Sequence, residues 1–210
     1  MDFSIDDIDK ILPKELTEQK KGRLKEGLGQ FYQRNCQNDK YYTEFYLKTS
    51  NSFFLQGDLI KELRFPIFNK ETRKYEKLYF DAILISNTCD VDEANANNRN
   101  IPKKVILAKL IPLNAFVDSL TELEIESAAN ILTLIKNQQY SNVIYFPPTN
   151  EGIDYIAYLD DFSILDVDEL NLLKEDIDEN RIESLDYFGH YLFIFKLSYH
   201  FCRLPEETQR

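Results

Sequence analysis

Thr88-Cys89-Asp90 is the constellation best placed for chemistry, because it follows an apolar run ending in Ser86-Asn87, and strand ends that feed loops are common homes for reactive groups. A cysteine attacks only as its thiolate, which needs a nearby cation or base, and the local neighbours Asp90, Asp92 and Glu93 work against ionisation. His190 or His200 could be brought up by folding; both sit in an apolar C-terminal run. Their ten-residue spacing turns them about 80° apart on a helix, so they cannot form an adjacent i, i+4 ligand pair. Cys89 and Asp90 are therefore the catalytic candidates. Against them stands a structural reading, in which Cys89 is a small buried thiol and Asp90 caps the turn. No metal is expected, since C-x-x-C and H-x-x-x-H are absent and the acids Asp166, Asp168 and Glu169, or Asp176, Asp178 and Glu179, lack the glycine of a calcium loop. No cofactor is expected either: neither G-x-x-x-x-G-K-[ST] nor G-x-G-x-x-G occurs, and six glycines leave little material for a phosphate cradle.

A second constellation is basic and aromatic. Lys61, Arg64, Lys70, Arg73, Lys74 and Lys77 interleave with Phe65, Phe68, Tyr75 and Tyr79. Bases can stack on rings while cations track phosphates, so Arg64, Lys70, Arg73, Lys74, Lys77, Tyr75 and the more distant Arg99 are nucleic-acid-binding candidates. An ordinary charged hairpin, protecting a sheet edge, has the same composition.

The elements that would position these groups read as follows. Residues 13–33 form an amphipathic helix with sparse apolar positions (Leu16, Leu24, Leu28, Phe31, Tyr32), weakened by Gly22, Gly27 and Gly29. β-Branched and aromatic runs at 53–60, 63–68, 78–86 and 105–112 predict strands, with 69–77 as a hairpin tip and 87–103 as a long polar loop. Ser119 and Glu122 have capping-box spacing, and the apolar positions that follow predict a buried helix to about residue 137. Strands resume at 143–146, 153–159 and 162–167, with Asp160-Asp161 as a tight connection. A short helix through Leu173 and a last helix from Asp186 to about Cys202 follow, the latter apolar on nearly every side.

Three of these segments carry a resemblance. Gly57-Asp58-Leu59-Ile60, then Ala82 to Asn87, then Val105 to Ala108 resemble the three core strands of the MazF/PemK-like proteins, and Tyr155 to Leu170 looks like the family's closing strand and helix. The resemblance implies an SH3-like β-barrel. It also implies RNA cleavage by an Arg entering the second strand and a Thr leaving the third. Here Phe80-Asp81 stands at the Arg-Pro position and the Thr position falls near Ile111. A carboxylate and a branched alkyl group cannot stabilise a developing phosphorane, so the implied ribonuclease chemistry is lost.

The chain has 210 residues with 36 acids and 25 bases, a net charge of −11 that works against a broad electrostatic grip on nucleic acid or anionic lipid. The surplus is uneven: residues 1–50 balance nine against nine, 51–112 hold eight acids and ten bases, and 113–210 hold 19 acids and six bases. No run of about 18 apolar residues occurs and the first ten residues are acidic, so no membrane and a cytoplasmic location are expected. Three distant cysteines, Cys36, Cys89 and Cys202, fit reduced thiols.

These readings combine into an α+β protein: an N-terminal helical segment (1–50), an SH3-like barrel with an inserted helix at about 119–137 (51–170), and C-terminal helices packed on it (171–210). The expected function is a non-catalytic protein-interaction module with a protein partner or as a homo-oligomer, in the bacterial toxin–antitoxin or phage-defence setting that the resemblance implies. One alternative is an RNA-binding protein, or an endoribonuclease with relocated groups drawing on Arg64, Arg73 or Arg99. Another is a thiol enzyme using Cys89.

Overall fold

The structure, a computed structural model, describes residues 17–29, 45–48, 51–91, 104–123, 125 and 127–201. In chain order the elements are α1 (Glu18–Gly29), β1 (Leu59–Asn69), β2 (Lys74–Leu84), α2 (Thr88–Val91), β3 (Lys104–Pro112), α3 (Leu113–Glu122), α4 (Ala128–Lys136), β4 (Val143–Phe146), β5 (Tyr155–Asp166), α5 (Val167–Leu172), α6 (Ile177–Asn180), β6 (Arg181–Glu183) and α7 (Tyr187–Phe201). The strands form one six-stranded sheet in the order β4-β5-β3-β2-β1-β6, every neighbour antiparallel. Among the described residues no helix is long and apolar enough to cross a membrane.

Alternation along the strands splits the core into two layers. One face offers Leu59, Ile83, Ala108, Leu110 and Ala157 to α7, whose Phe188, Leu192, Phe193 and Leu197 cover it, with Leu24 of α1 packed alongside. The other face offers Ile60, Leu63, Phe65, Ala82, Leu84 and Leu107 to Phe54, Val91, Val167 and Leu170. A smaller cluster seats Leu113 and Ile135 of α3 and α4 on Val143, Tyr145 and Ile156. Two glycines permit close approach. A Cβ on Gly57, which sits at φ 91°, would meet Leu185 Cδ1 at 2.7 Å, and one on Gly189 would meet the Phe45 carbonyl oxygen at 2.6 Å.

The sheet is open, and this corrects the expected SH3-like barrel. β1 leans toward β5, and Leu63 shares a core cluster with Leu165, but among the described residues β1 makes ladders only with β2 and β6. The reason is local. β2 pairs with β3 only over Ala82–Leu84, so the rest of the β1–β2 hairpin projects, while β6 takes the outer edge of β1 at Leu59 and Ile60. Pro66 removes a donor further along β1.

Other expectations shift in detail. The runs 53–60 and 63–68 are not two strands: β1 crosses a bulge at Lys61-Glu62, where Glu62 takes φ 51° and donates its backbone N–H to Asp81 Oδ1 at 3.2 Å. The helix expected at 119–137 is two helices. The first begins after Pro112, and Ser119 is no cap: its hydroxyl donates to the Phe116 carbonyl within α3. Asp160-Asp161 is a register shift inside the continuous strand β5, not a connection between two strands.

Candidate functional site

The corner after β2 is held by segment 51–58. The Thr88 hydroxyl accepts the Gln56 N–H at 2.9 Å, the Gln56 side-chain amide donates to the Ile85 carbonyl at 2.7 Å, and the Gly57 N–H donates to the Leu84 carbonyl at 2.8 Å. Cys89 is exposed, not a buried thiol, and its backbone N–H is taken by Asn87 Oδ1 at 2.9 Å. Asn87 makes that turn bond; the Asp90 side chain expected to cap the turn, Arg99, Cys36 and Cys202 lie outside the described residues. The histidines have other duties. His190 bonds the Gln56 backbone, and burial holds its pKa below the usual value, while His200 Nε2 lies 3.1 Å from Asp160 Oδ1. Among the described residues no group of three His, Cys, Asp or Glu could hold a metal.

Behind this corner Asp58 is fully buried, 2.9 Å from Arg181 Nε. It accepts the Leu55 N–H at 2.9 Å and the Ser184 hydroxyl at 2.7 Å. Burial pushes its pKa up; the Leu55 bond, Arg181 and Ser184 oppose that rise. The Arg181 guanidinium also donates to the Asn51 and Phe53 carbonyls, at 2.8 and 2.5 Å. Through these contacts the cluster staples β6 to segment 51–58. The two positions altered relative to the MazF/PemK-like pattern also have structural work. Phe80 packs edge-on to Phe65 under the Lys109 ammonium, Asp81 accepts the Tyr155 hydroxyl at 3.1 Å, and Ile111 packs against the α3–α4 cluster.

The second constellation is brought together. Arg64, Lys70, Arg73, Lys74, Tyr75 and Lys77 all lie on the β1–β2 hairpin or its turn at 70–73. Asn69 Oδ1 shapes that turn by accepting the Glu71 and Thr72 N–H groups at 2.9 and 3.1 Å, and Arg73 closes it at φ 54°. The register pairs Arg64 with Tyr79, Pro66 with Lys77, and Phe68 with Tyr75. Directly opposed residues share a face, so these six form one surface, while Leu63 and Phe65 turn to the core. Phe68 and Tyr75 meet edge-on with centroids 5.4 Å apart. Tyr75 is 74% exposed, Tyr79 65% and Phe68 49%, values that set these rings apart from the buried aromatics of the sheet.

An open groove of about 240 Å³ lies at the root of the hairpin, lined among others by Arg64, Lys77, Tyr79, Leu165, Glu169 and Leu173. Across it Arg64 Nη2 donates to Glu169 Oε1 at 2.8 Å, both side chains remaining more than one-third exposed. The sequence points to the basic and aromatic residues of this surface but not to Glu169, which enters there only as an acid of a cluster that lacks a calcium loop's glycine. No local signal links Glu169 to Arg64; only the curl of the hairpin toward β5 does.

No protein-family model matches this chain, and no curated protein matches it in sequence.

Proposed function

We propose that this protein is a non-catalytic binding module whose β1–β2 hairpin engages single-stranded nucleic acid. One observation carries the reading: a single face of a projecting two-stranded ribbon alternates cations and exposed rings, Arg64, Lys77, Phe68, Tyr75 and Tyr79, with Lys70, Arg73 and Lys74 at or beside its tip. Stacking on rings is sequence-tolerant and the cations follow the backbone, so a splayed strand fits this surface better than a duplex. Catalysis is disfavoured by the placement of its candidates, since neither histidine is committed to Cys89 and the buried acid Asp58 is tied up by its own chain. The reading rests on the hairpin alone and draws nothing from the strand-motif resemblance.

Fluorescence anisotropy with a labelled strand of about 12 nucleotides, within the usual site size of such modules, tests the proposal. RNA and DNA strands and the matching duplex form its arms. Single strands are expected to bind with an affinity that falls as salt rises, the duplex more weakly, and Tyr75→Ala/Tyr79→Ala is expected to lose about tenfold or more, given about 1–3 kcal/mol per stacked base. Equal binding by the double variant, or no binding to any strand at low salt, defeats the proposal.

A further inference from the structure

We infer that Glu169 is a built-in competitor for the strand: its carboxylate occupies, on Arg64, the place that a phosphate takes when a base enters the groove beside Tyr79. This rests on the nucleic-acid reading above and adds a regulated subsite to it.

Among the described residues Arg64 is the one cation of the ribbon face in an ion pair, held by a residue from outside the hairpin, on α5. Lys77, on the same face, lines the same groove. The groove combines what a nucleotide unit requires. Tyr79 supplies an exposed ring cross-strand from Arg64, Leu165 and Leu173 supply an apolar wall, and Arg64 and Lys77 supply the cations. Two carboxylates, Glu62 and Glu169, line the groove as well, and Glu169 is the one bonded to Arg64.

An Arg–Glu pair this exposed contributes little to stability, so its loss costs the fold little. Arginine nonetheless presents several donors in a planar fork suited to phosphate. A strand arriving at Arg64 must therefore displace Glu169 and overcome the repulsion between that carboxylate and its own phosphate. Removing the Glu169 charge lifts both obstacles, whereas removing another acid of α5 lifts neither. Asp168 is exposed and one residue away, which makes it the matched control.

The experiment compares strand affinity, by anisotropy at fixed salt, for the full chain, Glu169→Gln, Asp168→Asn, Arg64→Ala and the double variant Arg64→Ala/Glu169→Gln. Glu169→Gln is expected to tighten binding about three- to fivefold, the range open to an exposed ion pair. Asp168→Asn is expected to change it much less, and the gain should vanish when Arg64 is alanine. Equal gains from Glu169→Gln and Asp168→Asn would reduce the effect to net charge, and a gain that survives in the Arg64→Ala background would place the competition elsewhere; either result overturns the inference. Strand binding by the full chain that Glu169→Gln leaves unchanged overturns the competitor alone and leaves the module standing. Absence of strand binding by every protein removes both. Polyglutamate, added as a competitor at matched charge, should displace the strand poorly because it has no rings to stack; efficient displacement would make an acidic polypeptide the ligand and overturn the nucleotide subsite.

Discussion

At the scale of single residues, the least expected group is Lys196, a lysine facing inward on α7. It is 3% exposed, and its ammonium donates to the Gln138 carbonyl at 2.6 Å, just beyond the C-terminus of α4, where the helix dipole favours a cation. Gln138 itself sits at φ 58° and uses its side-chain amide to accept the Tyr145 N–H and donate to the Tyr145 carbonyl, fastening α4 to β4. Burial pushes the Lys196 pKa down to about 7. In the unfolded chain the same ammonium titrates near 10.4, so between about pH 7 and 10 the unfolded state binds more protons and stability rises with pH; below about 7 the contribution is flat. Urea unfolding at pH 7.5 and 9.5 should show a rise in the natural protein that is absent in Lys196→Met. A rise of equal size in both would assign the titration to another group. In the sequence Lys196 is one base inside an apolar run, and its identity alone cannot distinguish a lysine that reaches water from one that reaches a carbonyl. Asp58 and Arg181 pose the same problem: the aspartate is plain in Gly57-Asp58, but its cation arrives from β6, far along the chain.

At the scale of elements, the hairpin was legible where its pattern is short-range. Alternation marks Leu63, Phe65 and Ile67 as one face of a strand, and their burial follows it. The turn is shorter than the composition predicts because residues 74–77, three of them charged, lie on a ribbon exposed on both sides, where a polar strand and a polar loop have the same composition. β6 is three residues long and gives no periodic signal at all. The split between α3 and α4 is hidden for a related reason: Ser119 and Glu122 imitate a helix start, whereas Leu113, Phe116 and Leu120 already carry the periodicity of a helix begun after Pro112. The tip offers a prediction that separates shape from charge. Arg73 holds a left-handed conformation that glycine adopts without penalty, so Arg73→Gly should leave stability unchanged or raise it by up to about 1 kcal/mol while removing one cation. Thermal melting should show no loss. If Arg73 meets a phosphate, the log–log salt slope of strand binding should shrink by about 0.7, the value for one contact on a single strand. An unchanged slope would confine the grip to Arg64, Lys70, Lys74 and Lys77.

At the scale of the whole molecule, two features oppose each other. The sheet is open, with β6 on the edge of β1 at Leu59 and Ile60 and the rest of the β1–β2 hairpin projecting, and the part set by residues 181–183 is invisible in the strands 59–112 that suggested a barrel. The projecting hairpin carries six bases against four acids over residues 61–81, while residues 113–210 carry 19 acids and six bases. A strand approaching this protein therefore meets a long-range repulsive field and a short-range attractive surface. The two are screened differently: the Debye length is about 30 Å at 0.01 M salt and about 10 Å at 0.1 M. Counterion release lowers affinity at every salt concentration, but across that interval the screening of the distant repulsion offsets part of the loss, and above it the loss is no longer offset. The salt dependence should accordingly be curved, shallow at low ionic strength and steeper above about 0.1 M. Neutralising Asp118 and Glu122 on α3, which packs with α4 beside β4 at the opposite edge of the sheet, should raise affinity at 0.01 M and leave it unchanged at 0.3 M. A straight log–log plot for the natural protein, unaltered in Asp118→Asn/Glu122→Gln, would mean that the acidic half lies electrically out of reach of the hairpin. Binding would then be governed by the ribbon alone.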